Sequence, residues 1–287
     1  MAFDSTRIVS QMTIKGSLPE GRFTPQELLD FAYDSLLSEF VPVVLETREE
    51  YFVYPQDFPI NQGQASYFVP SRAMNGVLRE VKLVKADGSI VDLTRIDLED
   101  VTSSQAGTPN SFYMSGNSVI LHPTPLVTQD TLRLYYFIRP SRLVTTAECA
   151  VITAIDRNAS TATISIPTGW TTANTFDLVR GRAHFDILAL DLTSSSVAGG
   201  SITLSSIPDA LVVGDYVTLA EETCFPALPP EGHVALVQSA VTAALESIGD
   251  PNAGSSAQKT QVLKQSFQSI LKTRIQGAPK SLGTSLL

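Results

Sequence analysis

Three histidines, two cysteines and two short runs of carboxylates are the side chains in this 287-residue chain whose types suit chemistry. Histidine and thiolate hold zinc when two or more stand at ligand spacing, as in HExxH or paired cysteines. His122, His184 and His233 stand far apart, none in HExxH and none paired with a cysteine at ligand spacing. No metal is expected. Cys149 and Cys224 make no metal or redox motif. They read as two small buried apolar groups, and whether they pair stays open, because they flank a β-rich block. Asp97, Glu99 and Asp100 crowd one stretch, and Glu46, Glu49 and Glu50 another. A glycosidase sets two carboxylates across a bond, one with a raised pKa; runs like these read instead as solvated acidic faces. There is no GxSxG elbow, P-loop or GxGxxG. The expectation is a chain without catalytic residues or cofactor.

Arg133, Tyr135, Tyr136, Phe137 and Arg139 resemble an aromatic-basic stripe for nucleic acid. Successive residues of a strand face opposite sides, so these cannot form one stacking platform; core packing on one face is expected. Asn158-Ala159-Ser160 matches a glycosylation acceptor and, without secretion, marks a turn.

Hydrophobic residues make up 43% and charged residues 17%. That is enough apolar material for a sizeable core, and the length allows one large domain or two smaller ones. No apolar run of about 18 residues suggests a membrane span. The first residues, MAFDSTRIVSQMTIKG, lack the apolar stretch of a secretory signal. Net charge is −9, with no basic cluster of the kind that grips phosphates. An acidic wall can nevertheless surround DNA without holding it.

The elements that must position these side chains follow a clear order. Residues 1–22 read as an extended arm, with Arg7–Ile14 able to add a strand. Thr24-Pro25-Gln26-Glu27 predicts a helix start, with a capping hydroxyl, proline at the first position and glutamate at the third. Leu28, Leu29, Ala32, Leu36, Leu37 and Phe40 follow at helical spacing. Pro42 stops or kinks that helix and can start a second short one. From Tyr51 the texture is aromatic and β-branched. Gly76–Val84 and Thr131–Ile138 alternate as strands, Ala86-Asp87-Gly88 turns into Ser89–Leu93, and Gly116-Asn117 turns a second hairpin. Residues 145–223 are rich in Thr, Ser, Val, Ile and Gly, with turns at Asp156–Ser160, Gly199-Gly200 and Gly214-Asp215. Short strands at this spacing predict an inserted sandwich or barrel. Helical spacing then returns through Val234, Val237, Val241, Ala244, Leu245 and Ile248, ended by Gly249, and again through Val262, Leu263, Phe267, Ile270 and Leu271 in a helix from about Ala257 to Ile275. The expected fold is α+β: a helical core from N- and C-terminal helices, antiparallel β hairpins, and an inserted all-β sandwich or barrel. The expected divisions are an arm (1–22), a helical and β core (23–144 and 224–276), the insert (145–223) and a tail (277–287).

Five segments, namely FTPQELLDFAYDSLLSEFVPVVLETREEYFV, YFVPSRAMNGVLREVKLV, SFYMSGNSVILHPTPLVTQDTLRLYYFIRPSRLV, VGDYVTLAEETCFPALPPEGHVALVQSAVTAALESIGD and LKTRIQGAPKSL, give the chain a texture and order that resembles the head-to-tail adaptor proteins of tailed bacteriophages, also called connector, neck or head-completion proteins. The strand-rich block departs from the simplest members. The resemblance implies a structural virion protein, made in the host cytoplasm, that forms a ring of twelve copies beneath the portal. Such a ring joins head to tail, continues the DNA channel without specific DNA binding, and offers a platform to a tail nozzle or tube. The implied partners are the portal protein, other neck or tail proteins and further copies of the chain; no membrane is implied. The C-terminal segment of such proteins reaches the portal, which here makes Lys272, Arg274, Ile275, Lys280, Leu282, Leu286 and Leu287 the candidate interface. Two alternatives stay open: another neck or tail component whose β block binds host or glycan, with Trp170, Phe176 and Phe185 facing a sugar, or a cell-wall glycan hydrolase.

Overall fold

The computed structural model describes residues 3–101, 106–126, 129–181 and 185–271. The chain divides into two compact units, Met1–Arg48 with Pro140–Leu287, and Glu49–Arg139. The architecture is mixed α+β, with many antiparallel strands and a closed six-stranded barrel.

The first unit begins with α1 (Ser5–Gly16), where alternation predicts an extended arm. Asp4 caps this helix, its carboxylate accepting the Arg7 N–H at 2.9 Å. Ile8 and Met12, one turn apart, are fully buried. A cap and an i, i+4 apolar pair outweigh the β-branched composition of VSQMTI, because only a helical period puts both side chains on one face. α2 (Pro25–Ser35) starts with the predicted capping box: the Glu27 N–H donates to Thr24 Oγ1 at 3.3 Å and the Thr24 N–H to Glu27 Oε2 at 2.6 Å. Instead of running on to Phe40, the helix widens into a π turn over Leu36–Phe40, closed by the Val41 N–H on the Leu36 carbonyl. Proline has no N–H to offer and its ring crowds the preceding turn, so a widened turn lets the chain reach α3 (Val41–Thr47), which carries Pro42 in its first turn.

The second unit is built from strands β1 (Val53–Pro59), β2 (Ser66–Phe68), β3 (Ala73–Val84), β4 (Ile90–Asp92), β5 (Thr94–Arg95), β6 (Ala106–Gly107), β7 (Ser111–Ser115), β8 (Ser118–His122), β9 (Thr124–Pro125) and β10 (Thr131–Ile138). One sheet has the order β1-β10-β3-β4 and is antiparallel throughout; a second has the order β2-β8-β7-β5. The two-residue strands β6 and β9 pair in parallel. β10 alternates strictly: Leu132, Leu134, Tyr136 and Ile138 are buried while Arg133, Tyr135 and Phe137 face the other way. The β3–β4 hairpin turns at the predicted place, with the Asp87 carboxylate accepting from the Ser89 N–H and hydroxyl and Gly88 at φ 83.

The chain returns to the first unit through β11 (Arg142–Leu143) and enters the barrel, β12 (Ala150–Asp156), β13 (Thr161–Ile164), β14 (Thr175–Arg180), β15 (Asp186–Ala198), β16 (Ser201–Leu204) and β17 (Tyr216–Leu219), closed in the order β12-β13-β16-β15-β14-β17. Closure leaves no sheet edge to manage. Its interior holds Ile152, Ile164, Trp170, Phe176, Leu178, Ile202, Leu204 and Val217. The buried Asp177 carboxylate accepts the N–H of Asp191 at 3.0 Å and of Glu221 at 3.1 Å. Both residues have positive φ, so one buried carboxyl group anchors two left-handed backbone positions. Leaving the barrel, β18 (Glu222–Thr223) pairs in parallel with β11.

Two helices follow, α4 (His233–Ser247) and α5 (Ala253–Ile270). α4 packs Val237, Ala240, Val241, Ala244 and Leu245 against Ile8 and Met12 of α1 and Leu28, Leu29 and Ala32 of α2. Phe267 of α5 meets Phe40 with ring centroids 5.9 Å apart, and Arg48 Nε donates to the Leu271 carbonyl at 2.9 Å. The predicted apolar stripes are partly redistributed. Val234 is exposed rather than buried, and of the last predicted stripe Phe267 and Leu271 are buried while Val262 and Ile270 stand 65% and 54% exposed. The rest of the inner face is polar: the hydroxyls of Thr242, Ser256 and Thr260 lie 2.8 and 3.0 Å apart, and Gln238 donates to Ser256. Fully hydrogen-bonded hydroxyls allow the two helices to pack closely without an apolar stripe.

Candidate functional site

The three histidines do not converge. His122 ends β8, where its carbonyl accepts from the Asn110 N–H and the Ser111 hydroxyl. His233 begins α4; its ring stacks on Phe3 at 4.3 Å and its Nε2 lies 3.1 Å from the Leu228 carbonyl. Burial lowers its pKa to about 4, so at neutral pH it is an uncharged ring that donates to Leu228 and orders the helix start. His184 lies outside the described residues. Among the described residues no group of three His, Cys, Asp or Glu could hold a metal ion.

Cys149 and Cys224 are free thiols, both buried, with Val144, Val179 and Phe225 around them. They stand where the chain enters and leaves the barrel. A hydrogen bond with Cys149, together with burial, pushes the Cys224 thiol up. A thiol held protonated is no nucleophile, so the pair packs as two small apolar groups.

Asp97 and Glu99 are exposed on a 3₁₀ turn, and nothing is described of the Asp100 side chain. Glu46 is exposed on α3, while Glu49 pairs with Arg79 at 3.0 Å and Glu50 is exposed beside it. The sequence gives no sign of Glu222, whose carboxyl is raised by burial and by the Glu148 charge, against the pull of Arg142. A raised carboxyl is what a general acid requires. Its neighbour Glu148, however, is committed to a capping box on Thr145, accepting the Thr145 N–H at 2.9 Å and hydroxyl at 2.7 Å. The only signal for such a site is tertiary, because β18 meets β11 only after the whole barrel has intervened in sequence.

In the second unit a groove of about 700 Å³ opens beside β3, where β4 covers only Lys82–Val84. Its floor includes Val77, Leu93, Phe112 and Met114. Its charges neutralise one another: Arg79 with Glu49 and Glu80, Lys82 with Glu80 at 2.9 Å and Asp92 at 3.2 Å. The hydrogen bonds that Lys82 donates to Glu80 and Asp92 raise its pKa, so it stays cationic and moves no proton near neutrality.

The aromatic candidates for sugar binding are placed elsewhere. Trp170 and Phe176 lie in the barrel interior, ring centroids 5.0 Å apart, and Phe185 packs on the cysteine cluster. Closing a six-stranded barrel needs large inward side chains, and these supply them. Tyr136 is likewise core, and Arg133 makes a bidentate pair with Asp57 at 2.7 Å, which keeps it from a phosphate. Lys272, Arg274, Ile275, Lys280, Leu282, Leu286 and Leu287 lie outside the described residues. What the described surface does present is uncovered apolar side chains, Phe68 at 76% and Ile14 at 73% exposed, with Val262 and Ile270 on α5. Such side chains suit contacts with other proteins.

The sequence matches the family described as SU10 adaptor protein over residues 11–167, more than half of the chain, and the chain belongs to that family of phage adaptor proteins. The match runs from α1 through the whole second unit and into β13 of the barrel. No curated protein matches the sequence significantly. Membership implies a structural component of a virion that contacts other head or tail proteins.

Proposed function

We propose that this chain assembles into a ring beneath the portal, joins the phage head to its tail and continues the channel through which DNA passes. The family match over residues 11–167 carries the reading. Exposed apolar side chains on separate elements support it, since a cyclic ring needs two different contact faces on each subunit. The net charge of −9 suits a conduit through which DNA slides, because like charge keeps phosphates from adhering. The ring has twelve copies, and residues Lys272, Arg274, Ile275, Lys280, Leu282, Leu286 and Leu287 engage the portal: cations and leucines in an otherwise acidic chain make a docking segment. The reading includes no catalytic step. Electron cryomicroscopy of the virion neck tests it. A collar under the portal whose density fits the six-stranded barrel and the helices is expected; a neck without this protein overturns the reading.

A further inference from the structure

Charge is segregated along this chain. Residues 251–287 contain no aspartate or glutamate, and their cations are Lys259, Lys264, Lys272, Arg274 and Lys280. Residues 23–47 show the reverse, with Glu27, Asp30, Asp34, Glu39 and Glu46 and no lysine or arginine. Helix dipoles favour acids at one end of a helix and bases at the other; they do not sort whole helices by sign. Helix α5 and the acidic stretch belong to the same compact unit.

Part of this charge is used within the chain. Asp30 takes Arg142 at 2.9 Å, Glu39 takes Lys264 at 3.5 Å, and Glu27 closes the capping box. Asp34 and Glu46 on the acidic side and Lys259 on the basic side are exposed, and no ion pair among the described residues engages them. α5 itself is two-faced: Ser256, Thr260 and Phe267 are buried, while Lys259, Val262 and Ile270 point out.

We propose that the outer face of α5, centred on Lys259, Val262 and Ile270, docks on the acidic α2–α3 layer of a second copy of this chain. Each face repels its own kind and attracts the other, so the contact joins unlike patches head to tail and leaves one patch of each sign free at the ends. DNA is the other polyanion a carboxylate-free face could meet. Val262 and Ile270 favour protein, because burying them against an apolar partner lowers the free energy while a phosphate backbone offers them little. The biological setting, a closed ring, rests on the function proposed above; the contact itself does not.

Sedimentation velocity on the full chain tests it, at low and high salt. The mass of the wild-type chain is expected to grow with concentration, and less so at high salt. Lys259→Glu with Val262→Asp on one face, or Asp34→Lys with Glu46→Lys on the other, should each weaken association by about tenfold or more. A mixture of the two variants should recover association, since each retains one intact face that fits the other's and the two altered faces carry opposite charge. All four residues are exposed, and Val262→Ser provides a milder variant if the double substitution perturbs folding. A wild-type chain that stays monomeric to its solubility limit, variants that associate like wild type, or α5 substitutions that change only duplex-DNA binding would each overturn the proposal. A chain that associates in this way yet is missing from the virion neck refutes the portal reading and leaves this contact standing.

Discussion

Asp177 and His233 show how single residues hold this chain together. Asp177 is fully buried and gives its two carboxylate oxygens to the N–H groups of Asp191 and Glu221. Asp177→Ala leaves those donors without their carboxylate and is expected to lower stability by about 3 kcal/mol in urea unfolding, with Asp177→Asn losing less. His233 titrates at about 4 in the folded chain against an ordinary value of 6.5. Between those values the unfolded chain binds more protons than the folded one, so stability falls as pH drops through that window and is fully retained above it. The expected loss is up to about 3 kcal/mol on going from pH 7 to pH 4, and His233→Gln should flatten the profile in melts recorded across that range. The thiols make a third case. Both buried, and Cys224 held protonated as well, Cys149 and Cys224 should resist alkylation in the native chain and react once it is unfolded, as mass spectrometry of iodoacetamide-treated samples would show.

At the scale of elements, the barrel core and the helix seams each depend on a few side chains. Phe176→Ala removes a fully buried ring tilted against Trp170 and is expected to cost about 3–5 kcal/mol, read as a lower denaturation midpoint. Gly232 lies so close to Leu228 and Phe267 that an added Cβ would sit 2.6 and 2.8 Å from their side chains. Gly232→Ala should therefore lower the melting temperature by overpacking. Much of this was legible beforehand, wherever local chemistry decides the outcome: the capping box at Thr24, the alternation of Thr131–Ile138 and the turn at Asp87-Gly88 all form as their residues predict. What was not legible depends on partners distant in sequence. α1 was hidden because VSQMTI suits a strand until Ile8 and Met12 find α4. β14 gave no separate signal because its residues are buried in a continuous run rather than in alternation, wedged between β15 and the more distant β17. Val262 reads as core by spacing, yet hydroxyls took its place on the inner face of α5. The candidate surfaces were less legible still, since apolar side chains left uncovered look the same in sequence as those in the core.

For the whole molecule, a barrel, a two-sheet unit and helices from both ends of the chain give several separate surfaces. Among the described residues no cluster for a metal is formed. That combination suits an adaptor, whose work is to fit neighbours of different shape, and the family match places the chain among such proteins. The proposed ring makes the relation with the portal the decisive quantity. The most direct measurement is native mass spectrometry of purified portal rings mixed with excess chain. The account predicts a discrete complex in which one portal ring carries twelve copies, lost when residues 272–287 are deleted. Portal rings that remain at their own mass at every ratio of chain would contradict it.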